Sequence, residues 1–269
     1  MPDQYSHIAV ASTFSPRFLA VLAAADRVAT LVGASLSIIH ADEEDDERVK
    51  RFAAAMRELD RSESTPVLWG RAATPVDAIL GACKQNKIDL LIAGALEREK
   101  RDGEHRNFLG GVARELLQRC RCDLLLFPRP EELQREMESI LVQVDLKNLS
   151  IELLNQACRL ADRLGAKRLV FFAVITPFDE AIASSASVRL PSNEDEFAEL
   201  LDEVDGFDGE ADTAIIRSNT GFAACDYVES SGANLLIVPW QSDNGVRMLP
   251  VHMDWLLLVI PTNVWMLGD

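Results

Sequence analysis

Cys120 and Cys122 stand one residue apart with His105 nearby, and thiolate and imidazole groups are the ligands that zinc sites use. Only three such groups gather there, and no second cysteine pair has zinc-ligand spacing. Cys122 therefore reads more simply as a small buried residue opening a strand, and no metal is expected. His7, His40, His105 and His252 form no H-E-x-x-H pair. His252-x-Asp254 offers two members of a nucleophile triad, but the G-x-S-x-G elbow is absent. The P-loop pattern is absent too, which removes that route to phosphoryl transfer. There remains Gly110–Gly111 ahead of an apolar helical stretch. It is either a turn that aims backbone N–H groups at a phosphate, or a tight helix start kept for packing. No catalytic residue is expected.

The elements that must position these residues come in two copies. Shifting the sequence by 132 aligns Ile8–His40 with Ile140–Phe172 without a gap, and eight of 33 pairs are identical, among them Arg27/Arg159 and Gly33/Gly165. Other pairs exchange one apolar residue for another, such as Val28/Leu160 and Ile38/Val170. A period this long means that each copy is a domain with its own core. His7–Ser12 and Ile140–Val144 have strand length and character. Leu153, Leu154, Ala157, Leu160, Ala161 and Leu164 make one helical stripe, and Gly33 and Gly165 fall where a left-handed residue closes a last turn. Ser35–Ile39 and Arg168–Val174 return to strand character, which completes a right-handed βαβ unit in each copy.

Further strands are predicted at Pro66–Trp69 and Ala214–Arg217, and helices at Pro75–Gln85 and Phe222–Ser230. Ile88–Ala93 and Asn234–Val238 are buried strands, with Asp123–Phe127 and Trp255–Ile260 as the final ones. Five strands alternating with helices imply an α/β fold with a parallel sheet covered on both faces, in tandem domains at 1–130 and 137–269. The boundary falls near Pro128–Glu138, where prolines and charge interrupt the pattern. The acidic connection Pro177–Asp212 is long enough to be a lid, a partner surface or a partly mobile segment.

A formal charge of -16 argues against nucleic acid and against an anionic membrane surface, both of which need a surplus of Lys and Arg. Much of the acid lies in Asp42–Glu47 and Glu194–Glu210, read as solvated helix starts and loops or else as a surface for a basic partner. Five cysteines without small-domain spacing suit reduced thiols in the cytoplasm, and no apolar run approaches the ~20 residues of a membrane helix. The N-terminus lacks the basic residue and apolar core of a signal peptide, so a soluble, cytoplasmic protein is expected.

The order of elements, "VASTFSP" and "VQVDLKN", and "DLLIAGA…FLGGVARELLQRCRCDLLLFP" together resemble the universal stress protein family in its tandem form, over essentially the whole chain. The resemblance implies two Rossmann-like (adenine nucleotide alpha hydrolase-like) domains, each with a five-stranded parallel sheet. It also implies an intramolecular pseudo-dimer with Leu124–Phe127 and Leu256–Ile260 paired antiparallel, and further association into a homodimer. Nucleotide-binding members carry an acidic residue after strand one, a Gly-x-x-Gly loop after strand four, and Gly-Ser or Gly-Thr at the next helix start. Thr13 stands at the acidic position of the first copy, Gly94 matches the first loop glycine, Glu97 replaces the second, and Gly110–Gly111 match the last pair. Arg98, Lys100, Arg101 and Arg106 would offset Glu97 beside a phosphate. The second copy has Asp145 at the acidic position, but Pro239–Pro250 has no Gly-x-x-Gly and leaves little room for a last helix. Asp145 is either a ribose ligand or an acceptor for backbone N–H groups at the following helix start.

Each copy thus retains part of a nucleotide site. The expected function is a stress-response or regulatory protein that acts through protein contacts with weak or lost nucleotide binding. One alternative is a sensor of ATP or AMP using Gly94, Gly110, Gly111 and the backbone at His40–Ala41, and a second is a slow nucleotide hydrolase.

Overall fold

The structure is a computed structural model, which describes residues 5–12, 14–59, 65–101, 104–131, 136–186, 190–220, 222–243, 246–248, 253 and 259–268. The chain divides into two compact units, Met1–Glu97 with Gly110–Arg135, and Arg98–Leu109 with Glu136–Asp269.

The first unit opens with β1 (His7–Ser12), α1 (Phe18–Val32), β2 (Ser35–His40), α2 (Asp46–Glu58), β3 (Val67–Trp69), α3 (Pro75–Gln85) and β4 (Leu90–Gly94). The chain then forms β5 (Leu96–Arg101) and β6 (Glu104–Leu109), which pair in a two-stranded sheet of their own, before α4 (Gly111–Arg119) and β7 (Asp123–Phe127). The main sheet has the order β3-β2-β1-β4-β7, all parallel. Ile8, Ile38, Leu90, Ile92 and Leu125 are buried, as a parallel sheet with helices on both faces requires. Local signals set the helix ends. Gly33 adopts φ 74° and its N–H bonds back to Thr30 O, the left-handed closure that a side chain disfavours. Thr74 accepts from Asp77 N–H, and Pro75 supplies the fixed φ of a first turn.

The second unit runs β8 (Ser139–Gln143), α5 (Ile151–Arg163), β9 (Arg168–Ile175), α6 (Pro177–Ala186), α7 (Glu194–Leu200), β10 (Glu210–Arg217) and α8 (Phe222–Ser231). It ends with β11 (Leu235–Asp243), β12 (Val246–Met248) and β13 (Asn263–Gly268). Its main sheet has the order β10-β9-β8-β11-β13, again all parallel. Ser150 caps α5 through Leu153 N–H, and Gly165 closes it at φ 73°.

Each unit therefore has a five-stranded parallel sheet flanked by helices. Strand order reverses beside the first strand, and in open α/β sheets the C-terminal strand ends at such a point are where ligands bind. One expectation needs correction. The last strand is Asn263–Gly268 and not Trp255–Ile260: Val259 and Ile260 are outside any strand, and 255–258 lie outside the described residues. The charged stretch 98–107 lies mostly in β5 and β6. The connection Pro177–Asp212 is built largely as α6, α7 and the start of β10.

Candidate functional site

In the first unit the described site candidates collect on one sheet edge. Ala41 follows β2, and Gly94 ends β4 beside β1. Gly110 is brought next to Gly94 across the two-stranded sheet, because its N–H donates to Ala95 O at 2.9 Å. That bond also consumes a donor that a phosphate cradle would use. Gly110 has φ -62° and ψ 151°, an ordinary extended N-cap, and Gly111 opens α4. A methyl group at Gly94 would meet only Val21 Cγ2 at 3.7 Å, and one at Gly111 would meet nothing within 4 Å. Neither position needs glycine for space. Thr13 lies outside the described residues.

A residue that sequence reasoning passed over does need it. A Cβ on Gly70 would sit 2.9 Å from Ala78 O, and the Gly70 N–H donates to His40 O at 2.8 Å. This glycine lets the chain after β3 approach α3 and ties it to the end of β2.

Beside the C-terminal ends of β1 and β2, aromatic side chains of the protein pack on one another. Phe14 packs against Phe52, His40 and Phe18 with ring centroids 4.6, 5.1 and 5.6 Å away. The Arg51 guanidinium lies 3.9 Å from its centroid. His40 in turn meets Phe52 and Trp69 edge-on, and its Nδ1 is 3.1 Å from Ser12 O. These tilted and edge-to-face pairs are the arrangements that aromatic quadrupoles favour. Nothing in the spacing of Phe14 revealed this, since a single phenylalanine in a polar loop carries no period.

In the second unit Asp145 is half-buried at the end of β8, and both of its oxygens are in use. Oδ1 accepts from Lys147 N–H at 3.0 Å, and Oδ2 accepts from Asn148 Nδ2 at 3.0 Å. It organises the turn, whereas Ser150 caps α5, so the expected acceptor at the helix start is one turn too early. Beside it lies a small crevice of about 20 Å³, partly open to solvent, lined by Gln143, Asp145, Lys147, Ile175 and Asp179 among others. Asp179 is buried and accepts from Thr176 N–H at 2.9 Å and Thr176 Oγ1 at 2.7 Å. Lys147 Nζ lies 2.7 Å from Asp179 Oδ1, which commits this lysine to a protein carboxylate. Two carboxylates and one paired cation make a poor phosphate site. Gln143 Oε1, buried at the crevice, has no hydrogen-bond partner among the described residues. After strand four the second unit again continues as strand: β11 extends to Asp243 and pairs antiparallel with β12.

The thiols do not make a reactive centre. Cys120 Sγ and Cys122 Sγ are 3.4 Å apart. Contact with Cys120 favours the Cys122 thiolate, but the Cys83 thiol and burial oppose it and push the group up to about 12. A thiol so held stays protonated at neutral pH and is a weak nucleophile. Among the described residues no three His, Cys, Asp or Glu side chains could hold a metal ion. The His105 side chain, His252 and Asp254 lie outside the described residues.

No protein-family profile and no curated protein sequence matches the chain. Solved structures do. The chain is similar to a protein of unknown function from Pseudomonas aeruginosa PAO1, with TM-score 0.70, 16% identity, and coverage of 98% of this chain and 93% of that one. A protein assigned as a universal stress protein from Pseudomonas aeruginosa UCBPP-PA14 gives TM-score 0.70 at 16% identity, over 100% of this chain and 95% of that one. A universal stress protein from Archaeoglobus fulgidus DSM 4304 gives 0.60 at 12% identity, over 100% and 99%. The fold class is therefore an α/β, Rossmann-like one. More particularly, the chain has the fold of solved universal stress proteins. No described helix is long and apolar enough to cross a membrane.

Proposed function

We propose that this chain is a cytoplasmic universal stress protein with no catalytic activity, which works through protein contacts and has lost nucleotide binding at the family's positions in both units. The observation that carries this reading is the course of the chain after strand four. After β4 the chain runs on into β5 and β6, and the Gly110 N–H is bonded to Ala95 O. In the second unit β11 and β12 stand there. A phosphate cradle needs several backbone N–H groups free to converge on one anion, and strand pairing turns such groups toward a neighbouring strand. The Phe14 cluster beside the ends of β1 and β2 supports the same reading in the first unit. In the second, Lys147 is held by Asp179.

Titration of the purified protein with ATP and AMP, read by calorimetry, tests this. No saturation is expected up to about 100 μM, a dissociation constant that corresponds to about -5.5 kcal/mol. Tighter binding of either nucleotide would overturn the reading in favour of a nucleotide sensor.

A further inference from the structure

A second crevice lies away from the strand ends, within the second unit. It offers a volume of about 220 Å³, partly open to solvent, between α5, α7, the segment after α7, and strands β9 and β10. Phe171, Ala198, Leu201, Val204 and Phe207 give it apolar walls, and Cys158 closes part of its floor. The polar lining is Asp205, Asp212 and Thr213. Asp212 is paired with Arg168, its carboxylate 2.6 Å from Nη2. No lysine or arginine lines the crevice itself.

The surroundings specify what could enter. From Glu194 to Asp212 the sequence has ten carboxylates, and from Pro191 to Ile216 it has no lysine or arginine. That stretch forms α7, the connecting segment and the start of β10, the elements that wall the crevice. The acid extends well beyond the cavity in both directions along the chain. A small organic cation would neutralise one or two of these groups, whereas an extended polycation would neutralise many. Complementary charge steers such a partner in, and a buried apolar anchor holds it.

We propose that this crevice docks a lysine- or arginine-rich segment of a partner protein, with one apolar side chain of that segment seated between Phe171, Leu201, Val204 and Phe207. The proposal rests on the reading that the chain acts by protein contact, and it names the surface and the chemistry of the partner.

Fluorescence anisotropy with labelled synthetic peptides tests it on the full chain. A repeating Lys-Lys-Leu peptide is expected to bind saturably, and repeating Lys-Lys-Ser at least about tenfold more weakly, the least that burial of one leucine gives. Neutralising Asp202, Glu203 and Asp208 to the amides is expected to weaken Lys-Lys-Leu binding at least about fivefold, and to flatten its salt dependence. Val204→Ser should erase most of the preference for leucine over serine, with far-UV circular dichroism confirming that the variant is folded. Neutralising Glu58, Glu115 and Glu229 instead, which belong neither to the crevice lining nor to the acid of 194–212, should leave binding within about twofold. Equal binding of the two lysine peptides, an equal loss in the remote triple variant, or no saturable binding would each overturn the proposal. These outcomes separate from the nucleotide titration. Nucleotide binding would sink the protein-contact reading without altering the peptide ratios, and failed peptide ratios with no nucleotide bound would remove only the crevice.

Discussion

Removing the Phe14 ring is the sharpest perturbation of the first unit's strand edge. The ring is half-buried, contacts three other rings within 5.6 Å, and has the Arg51 guanidinium 3.9 Å from its centroid. A fully buried Phe→Ala change destabilises by about 3–5 kcal/mol, and half exposure brings the apolar part down to about 2 kcal/mol. Lost ring–ring geometry adds about 0.5–1.5 kcal/mol. Phe14→Ala should therefore lower stability by about 2.5–3.5 kcal/mol, and Phe14→Leu, which keeps most of the volume, by about 1 kcal/mol. Urea unfolding followed by far-UV circular dichroism and by fluorescence measures both, with the shift in midpoint at unchanged slope as the readout. Loss of the ring also opens space beside the ends of β1 and β2 but leaves the Gly110 N–H on Ala95 O, so ATP affinity should stay weaker than about 100 μM in the variant. A stability loss under about 1 kcal/mol would show that the ring is not packing as the geometry says. Tight ATP binding by Phe14→Ala would show that the ring alone had closed the site.

Two further predictions concern glycine and pH. Gly111→Ala should be neutral or stabilising by about 0.5–1 kcal/mol, since alanine suits a helix and open space surrounds the position, whereas Gly70→Ala should destabilise by about 1–3 kcal/mol through the approach to Ala78 O. Thermal melts of the two variants check this, and a larger loss at Gly111 than at Gly70 would refute it. Asp89 accepts from Ser6 N–H and Oγ at 2.8 Å and from His7 N–H at 2.9 Å, pinning the start of β1. Burial raises the Asp89 carboxyl, but the N–H groups of His7 and Ser6 and the Ser6 hydroxyl outweigh it and hold the group below its ordinary value. A depressed folded value means that the stabilisation is complete above the unfolded value of about 3.9 and is lost as pH falls through the folded one. Asp89→Asn should thus cost about 1 kcal/mol at neutral pH. That difference should shrink as pH is lowered from about 5 toward 3, and a difference that grows on acidification would contradict the sign.

Much of the architecture is written locally and is legible in the chain alone. The apolar stripe of α5, the left-handed glycines at 33 and 165, and the Thr74–Pro75 start of α3 each fix an element through neighbours a few residues away. The gapless alignment of Ile8–His40 with Ile140–Phe172 placed two βαβ units before any contact was known. Such signals survive in sequence because helix periodicity, capping and continuous apolar strands depend on short-range geometry.

Other features were decided only by distant partners. Both Trp255–Ile260 and Asn263–Gly268 are apolar enough to end a sheet, and the choice fell to pairing with β11, where Leu235 meets Asn263 and Ile237 meets Trp265. The strands β5 and β6 are mostly charged and polar, with Leu96, Phe108 and Leu109 apolar only at their ends, so no apolar alternation marks them, and they form because they pair with each other. The sequence identified Gly94, Gly110 and Gly111 by type, and the fold drew Gly94 and Gly110 together; yet only the three-dimensional structure shows the Gly110 N–H given to Ala95 O and Phe14 packed against Phe52 and His40. Residue identity sets which groups are available to a ligand; packing sets whether those groups are already satisfied by the protein itself.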